Sequence, residues 1–130
     1  MTHRPATDPV LPSPLAAGRK DDKEAGKDEG LGVARRLFDS RIIHVHGGVD
    51  DKLAQRMVGE LLALDAADPE APITLFLNSP GGSVTSGFAI YDIMRFIRPE
   101  IRVVCTGLTA SIATIILQGA TPGQRYTLPS

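Results

Sequence analysis

From residue 31 onward, the spacing of apolar residues switches repeatedly between the strand pattern and the helix pattern. Runs of β-branched and apolar residues predict strands over 42–45, 73–77, 101–105 and 125–128. Apolar residues three or four positions apart predict helices between these strands, including one over 110–120. The positions that define the two longer helices are Leu53, Met57, Leu61 and Leu64 in the first and Val84, Phe88, Tyr91 and Met94 in the second. This alternation predicts an α/β fold with a mainly parallel sheet, right-handed crossovers and helices on both faces of the central strand.

The first 30 residues lack this periodicity. Prolines interrupt the chain as far as Pro14, and a mixed charge run follows over 19–29. Such a segment buries too little apolar surface to offset the entropy lost on ordering. We therefore predict that 1–30 is a disordered extension and that 31–130 is one folded domain, with a propeptide or a partner-docking arm as alternative roles for the extension.

Composition narrows the class of protein. Charged residues are 22% of the chain and the formal net charge is −1, which disfavours a nucleic-acid-binding protein. No run approaches the roughly 20 apolar residues of a membrane-spanning helix, so no membrane partner is expected. Cys105 is the only cysteine, which excludes an internal disulfide. Together these features favour a cytoplasmic location.

A glycine pair marks the first candidate functional turn. Gly81-Gly82 follows the apolar 73–77 strand and opens the next helix. Backbone N–H groups are unpaired at such a point, and glycines let a ligand approach the main chain closely. The N–H groups of this turn could therefore bind a negatively charged group, such as an oxygen that gains charge during a reaction. A purely structural turn explains the two glycines equally well. The pattern lacks the Lys-Ser/Thr of a phosphate-binding P-loop.

Ser111 marks the second candidate turn, at the start of the helix over 110–120. A serine in that position is most often a helix cap. A serine facing an anion-binding turn from the neighbouring crossover also supplies two parts of acyl transfer, a nucleophile and an oxyanion hole. Both interpretations remain open at this point.

Several motifs, in order and with unbroken spacing, resemble the peptidase subunit of the Clp family of ATP-dependent serine proteases. The similarity runs from about residue 37 to 129 and ends on Arg-Tyr-x-Leu-Pro at 125–129. The other motifs are Arg-Ile-Ile at 41–43, Gly-Gly-Val-Asp-Asp at 47–51, Asn-Ser-Pro-Gly-Gly-Ser-Val at 78–84, Ala-Ile-Tyr-Asp at 89–92, Phe-Ile-Arg-Pro at 96–99 and Gly-x-x-Ala-Ser at 107–111.

The resemblance implies a role for individual residues. Ser111 would be the nucleophile, and the backbone N–H groups of Gly82 and Ile112 would form the oxyanion hole. Ser83 and Val84 would align the substrate as an extended strand. The implied fold is the crotonase- and Clp-protease-like spiral of strand–helix repeats, truncated at its C-terminus, with 31–130 as an incomplete peptidase domain. No metal and no organic cofactor are implied.

In the family, the catalytic His and Asp follow beyond the position of Ser130, so this stretch alone is expected to be inactive. His44 and His46 stand where the family carries other residues, and we interpret them as side chains on a sheet face. The implied partners are an unfolded polypeptide substrate, a hexameric AAA+ unfoldase and further copies of the subunit in a ring. The family segment that meets the unfoldase is not recognisable in 1–30.

Two alternatives belong to other functional classes. One is a catalytically inactive ring subunit that assembles with active paralogues and has a structural role. The other is an acyl-CoA enzyme of the crotonase type, which would use the backbone oxyanion hole on a thioester and would have no use for Ser111.

Overall fold

A computed structural model describes residues 22–129, with side chains described over 30–129. The chain divides between Arg36 and Leu37 into two units. The elements, in chain order, are α1 (Asp22–Asp39), β1 (Ile42–His46), α2 (Asp51–Ala67), β2 (Ile73–Ser79), α3 (Val84–Phe96), β3 (Ile101–Thr109), α4 (Ala113–Gln118) and β4 (Arg125–Thr127). The predicted alternation of strands and helices is confirmed.

Helix α1 corrects part of the predicted disordered extension. It begins at Asp22, so residues 22–30 are helical, while residues 1–21 lie outside the described part of the chain. Lysine, glutamate and alanine are good helix formers, and they outweigh the glycines of this segment. The helix carries exposed apolar side chains at Leu31 and Val33.

The four strands form one parallel sheet in the order β1-β2-β3-β4. The register places Ile43 beside Leu75 and Leu75 beside Val103, and all three side chains are buried. Because side chains alternate between the faces of a strand, these residues mark one buried face across the sheet. The same core contains the inward side chains of α2, α3 and α4.

The prediction that helices cover both faces of the central strand is wrong for the unit Leu37–Ser130. The opposite face carries the exposed His44 and the half-buried Ile42, Phe76 and Val104. When parallel strands follow one another in chain order, crossovers of one hand place every connecting helix on the same side. Strand β2 is therefore central in the sheet but packed on one face.

Two element boundaries and one helix face also differ from prediction. Strand β3 continues to Thr109, through the turn predicted at Gly107, and α4 has only six residues. Helix α3 begins at Val84, two residues after the glycine pair predicted to open it, and Val84 and Phe88 are exposed. Its buried residues are Ser86, Gly87, Ile90 and Met94.

None of the helices in the described range 22–129 is long and apolar enough to cross a bilayer.

Candidate active site

Ser79 accepts hydrogen bonds from both candidate turns, the one at Gly81-Gly82 and the one that leads to Ser111. It is the last residue of β2 and is fully buried. Its hydroxyl oxygen accepts the Gly81 N–H at 3.0 Å, and its carbonyl accepts the Ala110 N–H at 3.1 Å. The glycine turn and the segment before Ser111 are therefore held on one residue, at the carboxyl ends of neighbouring parallel strands.

The glycine turn takes a path that requires glycine. Gly81 and Gly82 have φ values of +105° and +154°. The Val49 N–H donates to the Gly81 carbonyl at 2.9 Å, and the Ser83 N–H donates to the Val49 carbonyl at 2.7 Å. A Cβ on Gly82 would overlap the Val49 carbonyl oxygen, so no other residue fits without a backbone shift.

This pairing leaves one edge of the turn free. Val49 and Gly82 form a parallel bridge in which the neighbours of Gly82 make the hydrogen bonds. In that pattern the N–H and C=O of Gly82 itself point to the opposite side. No acceptor in the described residues takes the Gly82 N–H.

Ser111 lies at the junction of β3 and α4 with φ +57°, a value that non-glycine residues rarely adopt. Its side chain is against the glycine turn: a Cβ on Gly81 would be 2.7 Å from Ser111 Cβ and 3.2 Å from Ser111 Oγ. The capping interpretation of Ser111 is wrong, because Ile112 holds the N-cap position and no side chain caps the helix. The hydroxyl is instead exposed beside Gly81.

Ile112 is anchored by an unusually close approach of α3. Its side chain is buried, and a Cβ on Gly87 would overlap Ile112 Cγ1. Within the described part of the chain, the Ile112 N–H donates to no acceptor. Gly87 is a positioning residue that the sequence analysis missed; a glycine inside a helical pattern was the available signal.

Ser83 and Val84 occupy the first turn of α3. The Ser83 hydroxyl accepts the Ser86 N–H at 3.2 Å as the N-cap of the helix. The buried Ser86 hydroxyl in turn donates to Asp51 Oδ1 at 2.6 Å, joining the starts of α2 and α3. Val84 is exposed next to the glycine turn. The Ser83 side chain is thus engaged in capping, and a substrate role for both residues stays a prediction.

The two histidines lie on β1, as expected from the sequence. Both are exposed, and their ring centroids are 5.9 Å apart. His46 Nδ1 lies 3.4 Å from the Asn78 side-chain amide, and neither imidazole hydrogen-bonds to Ser111. Among the described residues, no group of three or more His, Cys, Asp or Glu side chains is placed to hold a metal ion.

The arrangement therefore brings the exposed hydroxyl of Ser111, a residue with a positive φ, against a turn with a free backbone N–H. Residues 25–130 match the family model described as Clp protease. The chain belongs to the Clp protease family. The all-parallel sheet with strands in chain order is the α/β architecture of a Clp protease domain, and the family is one of serine peptidases. The Clp protease match begins within α1, ahead of the residue at which the sequence motifs begin.

Proposed function

We propose that this Clp protease domain is the proteolytic part of an ATP-dependent serine endopeptidase that cleaves unfolded polypeptides, with Ser111 as its nucleophile. The observation that carries the proposal is the position of the Ser111 side chain against Gly81. It puts the hydroxyl at the turn whose next residue, Gly82, has a free N–H.

The proposed reaction is acyl transfer to serine. Ser111 Oγ attacks the carbonyl carbon of a peptide bond, and its proton passes to a general base. The carbonyl oxygen gains negative charge, which the N–H groups of Gly82 and Ile112 would stabilise. The C–N bond then breaks as the amine takes the proton, and water releases the acyl group from Ser111.

The free edge of Gly82 supports an extended polypeptide as the substrate. An extended chain can add to that edge by backbone hydrogen bonds, which are independent of side-chain identity. Such pairing needs a backbone released from its own secondary structure. This requirement fits an unfolded chain, delivered in the family by a hexameric AAA+ unfoldase to a ring of peptidase subunits.

The general base is not supplied by either described histidine, because neither contacts Ser111. The resemblance places the family's His and Asp after residue 130. Loss of the base from such a triad lowers turnover by roughly a millionfold. Reaction at Ser111 therefore requires a general base other than His44 and His46.

The test is covalent labelling of the protein expressed from its full reading frame. A fluorophosphonate probe is expected to modify Ser111, with the site assigned by peptide mass spectrometry. Ser111→Ala should abolish labelling, whereas Ser40→Ala, at an exposed serine before β1, should leave it unchanged. Labelling at another residue, or labelling that persists in Ser111→Ala, would refute the nucleophile assignment.

The family match favours this proposal over an acyl-CoA enzyme of the crotonase type. The inactive-subunit alternative makes a different prediction for the same experiment. In that case the protein would co-purify with an active paralogue, Ser111 would stay unlabelled, and Ser111→Ala would leave the activity of the mixed ring unchanged.

A further inference from the structure

Asn78, in β2, contacts the segments at the ends of both strands that flank β2. Its side-chain Oδ1 accepts the Leu108 N–H of β3 at 3.0 Å. Its backbone carbonyl accepts the N–H of Gly47, the residue after β1, at 3.0 Å. Gly47 lies two residues before Val49, which pairs with the glycine turn, and Leu108 lies in the segment that leads to Ser111. Asn78 is therefore bonded to the approaches of both halves of the candidate active site.

The bond to Leu108 occurs at an irregularity of the sheet. Between two consecutive pairs of the register, β2 advances by two residues, over 77–79, while β3 advances by four, over 105–109. The additional residues of β3 cannot all pair with backbone groups of β2. Asn78 is the middle residue of the shorter range, and its side chain accepts the Leu108 N–H from the longer one.

The same amide packs against the main chain of Gly107. This glycine has φ +66°, and a Cβ there would lie 2.8 Å from Asn78 Oδ1. It would also lie 2.9 Å from both Asn78 Cγ and Nδ2. The missing side chain at position 107 thus lets the Asn78 amide reach the next residue, Leu108, and fixes the path of β3 through the irregularity.

Three contacts hold the segment that contains Ser111. Before the turn, Asn78 accepts the hydrogen bond from β3, and the Ala110 N–H donates to the Ser79 carbonyl at 3.1 Å. After the turn, the Ile112 side chain is buried. Among these three contacts, the Asn78 bond alone uses a side-chain acceptor from β2. Its strength therefore depends on which residue occupies position 78.

The backbone of Ser111 needs such contacts. Its φ is +57°, in the left-handed region that costs energy for a residue other than glycine. A residue keeps a backbone angle of this kind only when the surrounding structure holds it there. Loss of one of the three contacts is therefore expected to let the turn relax and the Ser111 hydroxyl move away from Gly81.

We propose that Asn78 is a positioning residue for Ser111. By accepting the Leu108 N–H, its side-chain oxygen holds the turn in the arrangement that places the Ser111 hydroxyl against Gly81. The proposal rests on the proposed function, since Ser111 is the proposed nucleophile. Asn78 acts through the main chain of β3 and has no role as a proton donor or acceptor in the reaction.

Two substitutions at position 78 separate the acceptor oxygen from the bulk of the side chain. Asn78→Leu keeps a side chain of similar size but removes the acceptor. Asn78→Asp keeps an oxygen that can accept the Leu108 N–H. Thr74→Val is the matched control, because Thr74 is a half-buried polar residue on the same face of β2.

The first experiment measures the bond directly, by amide hydrogen exchange followed by NMR in this chain. Protection of Leu108, corrected for the intrinsic exchange rate, is expected to fall roughly fivefold in Asn78→Leu and to stay unchanged in Asn78→Asp and Thr74→Val. In the wild type, scalar coupling across the hydrogen bond, between the Leu108 amide nitrogen and Asn78 Cγ, reports the same contact without any substitution. Unchanged protection in Asn78→Leu, or a wild type without this coupling, would overturn the proposal.

The second experiment compares the rate of fluorophosphonate labelling at Ser111 in the protein expressed from its full reading frame. The rate is expected to fall on the order of tenfold in Asn78→Leu and to stay near the wild-type value in Asn78→Asp and Thr74→Val. An Asn78→Leu rate equal to that of the wild type, or an Asn78→Asp rate as low as that of Asn78→Leu, would also contradict the positioning role. If Ser111 is never labelled while Leu108 protection still follows the acceptor at position 78, the proposed function is refuted and the Asn78–Leu108 contact stands.

Discussion

At the scale of single residues, the site depends on glycines that meet a specific neighbour. Gly81 leaves room for the Ser111 side chain, Gly82 for the Val49 backbone and Gly87 for the Ile112 side chain. Each of these approaches would be blocked by one methyl group. The positions of the proposed nucleophile and of both proposed oxyanion donors therefore depend on glycine contacts as well as on hydrogen bonds.

Gly82→Ala is expected to lower the free energy of unfolding by at least about 2 kcal/mol. A strained backbone angle alone costs about 1–3 kcal/mol, and the new methyl group would also meet the Val49 carbonyl. Urea denaturation measures the loss. Gly48→Ala is the matched control: its nearest contact would be the Gly81 carbonyl oxygen at 3.8 Å, so a change within about 0.5 kcal/mol is expected. Equal losses in the two variants would contradict the close packing at Gly82.

Residue patterns could predict part of this site. A glycine pair after an apolar strand and a lone serine before a helix both have recognisable local chemistry, and the structure brings Gly81 and Ser111 together. The supports of the site could not be predicted in this way. The bond from Asn78 to Leu108 joins residues 30 positions apart and arises from an irregular register, which has no local pattern in the sequence.

At the scale of elements, the carboxyl end of α2 is held by one arginine from outside the helix. The last carbonyls of a helix lack partners within it. The Arg41 guanidinium donates to the carbonyl oxygens of Leu64 at 3.1 Å and Asp68 at 2.8 Å. It also donates to those of Ala71 at 2.8 Å and Pro72 at 3.3 Å. Arg41, the residue immediately before β1, thus hydrogen-bonds both to the end of α2 and to the loop that connects α2 to β2.

Arg41→Ala is expected to cost about 2 kcal/mol in the free energy of unfolding, because three charge-assisted hydrogen bonds to half-buried carbonyls and one to an exposed carbonyl are lost. Alanine keeps a Cβ at the positive φ of position 41, so the backbone strain is unchanged. Arg102→Ala is the control, since its exposed pair with Glu100 should contribute less than about 1 kcal/mol. Chemical denaturation of both variants tests the difference, and similar losses would argue against the role of Arg41.

An ion pair connects the last turn of α2 with the end of α3 and should make stability depend on acid pH. The side chain of Arg98 donates to Asp65 at 3.1 Å, and this hydrogen bond is the main cause of the lowered pKa of Asp65. The unfolded carboxyl takes up its proton near the ordinary value of about 3.9, above the folded pKa. The contribution is therefore complete at neutral pH and is lost as the pH falls through the folded pKa.

The free energy of unfolding, measured with urea at several pH values between 7 and 3, should fall less steeply in Asp65→Asn than in the wild type. Asp92→Asn supplies the comparison, because Asp92 is an exposed carboxylate of α3 without an ion pair among the residues described. Its profile should follow that of the wild type. Parallel profiles for Asp65→Asn and the wild type would show that the pair does not stabilise the fold.

Element boundaries show where local patterns lose their predictive value. The α/β alternation and the α2 residues Leu53, Met57, Leu61 and Leu64 could be predicted, because a regular apolar spacing leads directly to a buried face. The end of β3 could not, since Gly107 has the backbone angle of a turn but lies inside the strand. In α3, the exposed Phe88 and the buried Gly87 reverse the expected pattern because Ile112 approaches the glycine.

At the scale of the whole unit Leu37–Ser130, the strand order explains why one face of the sheet is packed. Apolar content along β2 indicated a central strand correctly but indicated cover on two sides incorrectly. Strand composition reports the position in a sheet, whereas the side on which a helix packs follows from the order of the strands. The order of the strands depends on the complete topology, so it cannot be predicted from the sequence of one strand.

The one-sided packing makes a sharp prediction for two adjacent valines of β3. Val103 is fully buried under the helices, while Val104 points to the opposite face and is half-buried. Threonine has nearly the same shape as valine but carries a hydroxyl, whose burial without a partner costs about 1–3 kcal/mol. Val103→Thr should therefore lower the free energy of unfolding by about 2 kcal/mol, and Val104→Thr by less than about 0.5 kcal/mol, in urea denaturation of this chain. Equal losses would mean that both faces of the sheet are packed, because only then would the two hydroxyl groups lose solvent to the same extent.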